Sequence, residues 1–282
     1  MQAIDQKKLE LLEQSVENKP VQRALRRVLM QNELQSLFVK QEQKPRVQFK
    51  FSHEIKTLPV TNQKASGRCW IYAGLNVIRE NLARSHDLKD FELSQNYTAF
   101  YDKLEKINYF IEIMDDFMTC DQDDRTLQHI LKMGIQDGGQ WDMFVSLIEK
   151  YGVVPKEAME ETDSSGATAF MNRIINIKLR QYAARARSLF SQNKLDEIQS
   201  LKTKTLDELF TFLTTNFGVP PKTFDFEYVS GDKYRIEKGL TPKAFYQKAN
   251  INLNDYVSVI HAPTKDKPYL KTYTVSYLGN VV

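Results

Sequence analysis

The 282-residue chain is poor in cysteine, with only 2, at positions 69 and 120. Two cysteines allow one bridge at most, so this is no secreted disulfide framework, and a reducing cytoplasm is the expected compartment. Long apolar runs are also lacking. No stretch approaches the roughly 20 consecutive apolar residues that span a bilayer, so no membrane partner is expected. The opening reads Met1 to Lys8 and then Leu9-Glu10-Leu11-Leu12-Glu13; charge interrupts it throughout, which excludes the apolar centre of a signal peptide. Neither charge sign dominates: 39 Lys and Arg stand against 36 Asp and Glu, a net +3, so nothing global demands a nucleic acid or an anionic surface. No His/Cys group has zinc spacing. The acidic run Asp115, Asp116, Asp121, Asp123 and Asp124 lacks the glycine and closing glutamate of a calcium loop. No metal and no cofactor are expected. Internal repeats and low-complexity tracts are absent too.

What is present is an ordinary globular composition. The chain is 41% hydrophobic, with 16 Phe and 13 Tyr, which argues against disorder. Its length suits one large domain or two modest ones. Leu9, Leu12 and Val16, then Val21, Leu25, Val28 and Leu29, recur at three- and four-residue steps, so residues 5–39 read as helix, broken by Pro20. Val47, Phe49 and Phe51 alternate in an extended lead-in that ends at Pro59. Residues 70–82 are apolar almost all round and predict a buried helix. Further helices are expected over 93–118, 125–134, 141–151 (closed by Gly152), 169–190 and 194–216, with a polar loop at 161–168. Strands are expected at Phe224, Phe226 and Tyr228, at 256–260 and at 272–278.

The segment Pro59-Val60-Thr61-Asn62-Gln63-Lys64-Ala65-Ser66-Gly67-Arg68-Cys69-Trp70 carries the chemistry. Cys69 stands where a glycine-bearing loop turns into a helix. Unpaired N–H groups and the positive end of the helix dipole meet there, and both favour a thiolate. The same N–H groups can donate to a developing oxyanion. Gln63, six residues earlier, offers a neutral amide donor that the loop can fold back to the same point. A lone cysteine before a helix is most often a core residue, but the residues around this one point elsewhere. Gln followed by Ser-Gly-x-Cys-Trp resembles the papain-family active-site signature, Cys-Gly-[Ser/Ala]-Cys-[Trp/Tyr]. Ser66 replaces the first cysteine, as suits a reducing compartment, and Arg68 stands at the small-residue position. Asn-Gln-Lys-x-Ser-Gly-Arg-Cys-Trp is similar to the bleomycin hydrolase and aminopeptidase C branch.

That resemblance implies an α+β, papain-like cysteine proteinase fold: a helical left domain with a helical insertion, and a right-hand β domain that is incomplete. The implied boundaries are 1–58 for an N-terminal helical arm and lead-in, 59–160 for the left domain, 161–250 for the insertion and 251–282 for the start of the β domain. It implies a cysteine-type peptidase in which Cys69 attacks the scissile carbonyl and forms an acyl-enzyme that water hydrolyses. The N–H of Cys69 and the side chain of Gln63 would hold the oxyanion. Asp137-Gly138-Gly139-Gln140-Trp141 comes next. Two adjacent glycines leave backbone bare for an extended peptide to pair with, and their position matches the family's substrate loop. Gly138, Gly139 and Trp70 are therefore assigned to substrate binding. Peptides are the expected substrates, and a homo-oligomer, a hexamer by analogy, the expected full-length assembly.

The reaction also needs a histidine and an orienting Asn or Asp. The four histidines are 53, 86, 129 and 261. His53 precedes Cys69, His86 lies just past its helix, and His129 comes before the Gly-Gly pair. His261 follows an apolar strand, but Pro-Thr-Lys-Asp-Lys-Pro-Tyr after it resembles an earlier family segment, so it is set aside. The catalytic His and Asn segments are expected beyond Val282, so the chain is expected to be a truncated form, inactive alone. Three readings stay open: an aminopeptidase, a catalytically dead fragment that folds or assembles, and a nucleic-acid-binding module using Lys178, Arg180, Arg185 and Arg187.

Overall fold

The computed structural model describes residues 3–17, 19–37, 50–256, 264–266, 268, 270 and 271. The chain divides into two compact units, residues 1–55 and 56–282. The first holds α1 (Gln6–Glu17), α2 (Pro20–Leu29) and the single turn α3 (Leu34–Leu37). Pro20 opens α2, where its missing N–H removes no helical bond. The apolar residues of both helices stay exposed, Leu9, Leu12, Val21 and Leu25 among them, and α2 buries none. Val47, Phe49, His261 and, apart from Tyr256, the strands expected at 256–260 and 272–278 lie outside the described residues.

The second unit is built on α4 (Cys69–His86). Ile71, Leu75, Ile78 and Leu82 repeat at three- and four-residue steps and are each at most 1% exposed, one continuous stripe against the core. Complete burial of such a side chain contributes about 1.5–3 kcal/mol. Gly74 lies in that stripe because a Cβ there would stand 2.6 Å from the Phe144 ring. The ring comes from α7 (Trp141–Tyr151), so α4 and α7 pack closely. Across them runs α5 (Gln95–Ile113), capped by Ser94, whose side chain accepts from Tyr97 N. Phe100, Ile107 and Phe110 of α5 enter the same core. Between α5 and α7 in the chain comes α6 (Arg125–Met133), where Asp124 caps the first turn through Thr126 N and Leu127 N. That cap employs one member of the acidic run; Asp115 pairs with Lys202, which employs another.

Two 23-residue helices, α9 (Ala169–Ser191) and α10 (Leu195–Phe217), pack on one another and on α5 through Ile175, Leu179, Tyr182, Leu209, Leu213 and Phe217. Both match the expected spans to within a residue. The stretch expected as a polar loop, 161–168, instead contains a capped helical turn, α8 (Asp163–Gly166). The Thr162 side chain accepts from Ser165 N, and the Ser165 side chain accepts from Thr162 N. This reciprocal cap is what four polar residues in a row supply. Strand β1 (Phe224–Ser230) falls where alternation placed it. Its antiparallel partner, β2 (Lys233–Leu240), was not expected: only Tyr234 and Ile236 alternate with charge there, and both stay exposed. The hairpin is joined to the far end of α4: Gly231 N donates to Asp87, and His86 lies edge-on to the rings of Phe226 and Tyr228. A short helix, α11 (Pro242–Gln247), follows and buries Phe245.

Gly152 ends α7 with φ +75, and a Cβ there would stand 2.4 Å from the Pro242 carbonyl. Gly152→Ala is expected to reduce stability by about 1–3 kcal/mol. The reading is a lower urea midpoint at unchanged slope; a midpoint equal to that of the parent chain would contradict this packing.

Candidate active site

Cys69 is the first residue of α4, and its side chain is exposed. No side chain caps this helix start; Ile71 N turns back to the Arg68 carbonyl, and the N–H groups of Cys69 and Trp70 have no partner among the described residues. The residue on either side behaves oppositely. Arg68 is 1% exposed. Its guanidinium meets the Glu161 carboxylate with both forks, at 3.1 and 2.8 Å, and donates to Ser66 Oγ at 2.9 Å. It also stands 5.6 Å from the centre of the Tyr72 ring. The bidentate arrangement is the strong form of this pair. Arg68 therefore pins the last loop residue inward, and Cys69 turns outward. The departure from the small residue of the papain signature has this structural content. Sequence reading noted the arginine and missed its role, since its partner lies 93 positions away.

The loop before the helix is held at several points. Glu80 accepts from Leu58 N, and Arg79 donates to the Pro59 and Leu58 carbonyls. Thr61 bonds Asn76, both on the α4 side of the loop, and Ala65 N donates to Gly166 O. A turn over 63–66 reverses the chain: the Gln63 carbonyl accepts from Ser66 N at 3.3 Å and from Ser66 Oγ at 2.6 Å. Gln63 is half-buried, and its side-chain Oε1 is buried without a hydrogen-bond partner among the described residues. Such an unpaired buried amide atom is uncommon.

The Gly-Gly segment lies directly against this loop. A Cβ on Gly67 would meet Asp137 Cβ at 2.8 Å, and one on Gly139 would meet the Trp70 ring at 2.5 Å. Trp70 Nε1 donates to the Asp137 carbonyl at 2.7 Å. The structure thus brings Trp70, Gly139 and the Cys69 loop together, although 67 residues separate Trp70 from Asp137. Trp70 is the hinge-pin of this contact. The two glycines differ. At Gly138 nothing lies within 4 Å of a Cβ position, and its carbonyl accepts from Lys106 Nζ at 2.7 Å. The N–H and C=O of Gly139 form no hydrogen bond among the described residues.

Beneath the segment is a cluster of four charges that sequence reading did not single out. Lys103, Lys106 and Asp102 from α5 are each less than 9% exposed. Lys103 donates to Asp137 Oδ1 at 2.6 Å and to the Gln136 carbonyl at 3.0 Å. Burial works to raise the Asp137 carboxyl, but the Lys103 ammonium and hydrogen bonds from Asn172, Lys103 and Thr168 outweigh it and hold the group at about 2. Burial pushes the Asp102 carboxyl up and the Lys103 ammonium down, since each charge is removed from water. Next to the segment is a cavity of about 240 Å³, whose apolar wall includes Phe110, Ile113, Ile130 and Met143.

The histidines take other places. His86 ends α4, roughly 25 Å along the helix from Cys69 at 1.5 Å per residue. His129 lines the cavity, whose wall does not include Cys69. His53 is exposed in the first unit, and His261 lies outside the described residues. Cys120, the other thiol, is half-buried, donates to the Phe117 carbonyl at 3.2 Å and lies 3.3 Å from Arg187.

A family model described as the Peptidase C1-like family matches residues 3–282. The chain belongs to that family. Aminopeptidase C of Listeria monocytogenes is 46% identical over 256 residues, covering 90% of this chain and 58% of that protein. Aminopeptidase C of Streptococcus thermophilus is 48% identical over 239 residues, 83% and 53% of the two chains. Bleomycin hydrolase of Rattus norvegicus is 39% identical over 231 residues, 79% and 51%. The chain thus spans a little over half the length of these curated relatives. A crystal structure of PepW from Lactobacillus rhamnosis superposes with a TM-score of 0.90 at 42% identity, covering 99% of this chain and 63% of that one. The α+β, papain-like fold expected from the sequence is borne out. Among the described residues no helix is long and apolar enough to cross a membrane.

Two outcomes follow from the geometry. Arg68→Leu leaves Glu161 without its partner and is expected to cost about 3–5 kcal/mol of stability, whereas Arg68→Leu with Glu161→Leu loses much less. Urea unfolding of both variants checks this; equal losses would mean that the pair is not the anchor. Because the Asp137 carboxyl is depressed on folding, the stability it contributes is present above the ordinary carboxylate value and is lost progressively as pH falls from there through about 2. The Asp137 carboxyl carbon should titrate near there by NMR; a midpoint near that of a free aspartate would contradict the tie to Lys103.

Proposed function

We propose that this chain is the nucleophile-bearing part of a cysteine aminopeptidase. The observation that carries it is an outward-facing thiol on the first residue of α4, whose neighbours Gly67 and Trp70 pack against the Asp137–Gly139 segment. A peptide laid along Gly139 pairs with its free N–H and C=O, and an apolar side chain of that peptide enters the cavity beside the segment. Cys69 Sγ attacks the scissile carbonyl carbon, the amine leaves with a proton, and water releases the acid from the thioester. The oxyanion is received by the Cys69 N–H and the Gln63 amide. Preference for peptide N-termini is taken from the names of the relatives, and the same holds for peptide substrates. The domain limits 59–160 and 161–250, and an oligomer of the full-length protein, are inferred from the family resemblance.

Among the described residues of the second unit no histidine stands at Cys69: His86 is a helix length away and His129 lines the cavity, so we infer that these 282 residues turn over little or nothing by themselves. A nucleic-acid module has less support: Lys178 pairs with Glu208, Arg180 donates to the Leu131 carbonyl and Arg187 to the Phe117 and Cys120 carbonyls. Each of those three cations already has a partner on the protein.

A peptidyl epoxide is expected to mark Cys69 at least tenfold faster than Cys120, with Cys69→Ser abolishing the label, as read by peptide mass mapping. Equal marking of both thiols would remove Cys69 as an activated nucleophile. A fluorogenic aminoacyl substrate should be hydrolysed negligibly. Efficient hydrolysis that survives His261→Ala would refute the missing-base inference.

A further inference from the structure

We propose that Lys106 is a positioning residue that shapes the Gly138–Gly139 segment for a peptide backbone and couples it to the nucleophile helix; this rests on the peptidase reading above. An ammonium has three protons to donate. All three are used here: on Asp102 Oδ2 at 2.8 Å, on the Gln136 carbonyl at 3.0 Å and on the Gly138 carbonyl at 2.7 Å. The same nitrogen stands 5.3 Å from the centre of the Trp70 ring, within the range of a cation–π contact. One buried point charge thus touches the loop on both sides of Asp137 and the residue next to Cys69.

The arrangement has a directional consequence. The Gly138 carbonyl is drawn inward to Lys106, so the peptide plane between residues 138 and 139 is fixed with its oxygen away from solvent. The N–H of that plane belongs to Gly139 and, being trans to the oxygen, points the opposite way. Gly139 is the residue whose backbone groups are unpaired. Lys106 therefore sets the direction in which Gly139 offers its donor. Lys103 reinforces this from one turn away, since the Gln136 carbonyl accepts from both ammonium groups. A buried ammonium is an expensive way to fill space, and an apolar side chain of similar volume often stabilises as well or better. What the lysine adds is three fixed bond directions, which an apolar side chain lacks.

The test compares two probes of Cys69 at mildly alkaline pH. A peptidyl epoxide must pair its backbone before it reacts; iodoacetamide need not. Lys106→Met is expected to raise the half-saturating concentration of the peptidyl epoxide about tenfold, while its limiting rate and the iodoacetamide rate change less than about twofold. If Lys106→Met fails to fold because Asp102 is left alone, the pair Asp102→Asn with Lys106→Met removes both charges and is expected to show the same tenfold rise. Unchanged half-saturation in the folded variant would overturn the proposal, and so would a parallel fall in both probes, which marks a general structural role. If the parent chain shows no saturable labelling by the peptidyl epoxide, the peptide-binding reading itself fails, and Lys106 with it.

Discussion

The exposure of Cys69 depends on the burial of Arg68. A guanidinium sealed against Glu161, Ser66 and the Tyr72 ring fixes the last loop residue, and the backbone then carries the following side chain outward at the helix start. A smaller residue at 68 would leave the turn without this anchor. The pair is expensive to break, because the carboxylate that remains is largely removed from water. Neighbouring residues thus divide the labour, one holding and one presenting.

A second set of charges does for the Gly138–Gly139 segment what Arg68 does for the thiol. Asp102, Lys103, Lys106 and Asp137 are balanced, two of each sign, and besides pairing with the carboxylates the two ammonium groups donate to the backbone carbonyls of Gln136 and Gly138. Glycines allow close approach but do not choose a conformation. The choice has to come from outside the segment, and here α5 provides it. Trp70 then joins the two systems, its ring under Gly139 and its indole N–H on Asp137.

The parts legible in the sequence were those written in local pattern. Helix α7 was readable to its ends because Trp141 follows a turn and Gly152 takes a positive φ that closes it. The spans of α9 and α10 were readable from long runs at helical spacing. Cys69 and the Gly-Gly pair were readable because a short motif surrounds each. The strand β2 was not, because its residues are mostly exposed and only Tyr234 and Ile236 alternate with charge, too short a pattern to mark it. The capped turn α8 was hidden in a polar stretch whose reciprocal bonds need three dimensions to see. The buried charges were the largest omission. Lys, Asp and Glu are almost never fully buried unless paired, and the pairs here join residues 34 and 93 positions apart.

Helix α4 carries Cys69 at one end and grips the β1–β2 hairpin at the other, through Asp87, His86 and the rings they meet. Its 18 residues form one rod roughly 25 Å long. A tilt of about 3° about the hairpin end would sweep the sulfur by ~1.3 Å, and a displacement near 1 Å is enough to lower a reaction rate about a hundredfold. The aromatic clamp at the distant end is therefore a levelling screw: whatever disturbs it is magnified by the arm and delivered to the thiol.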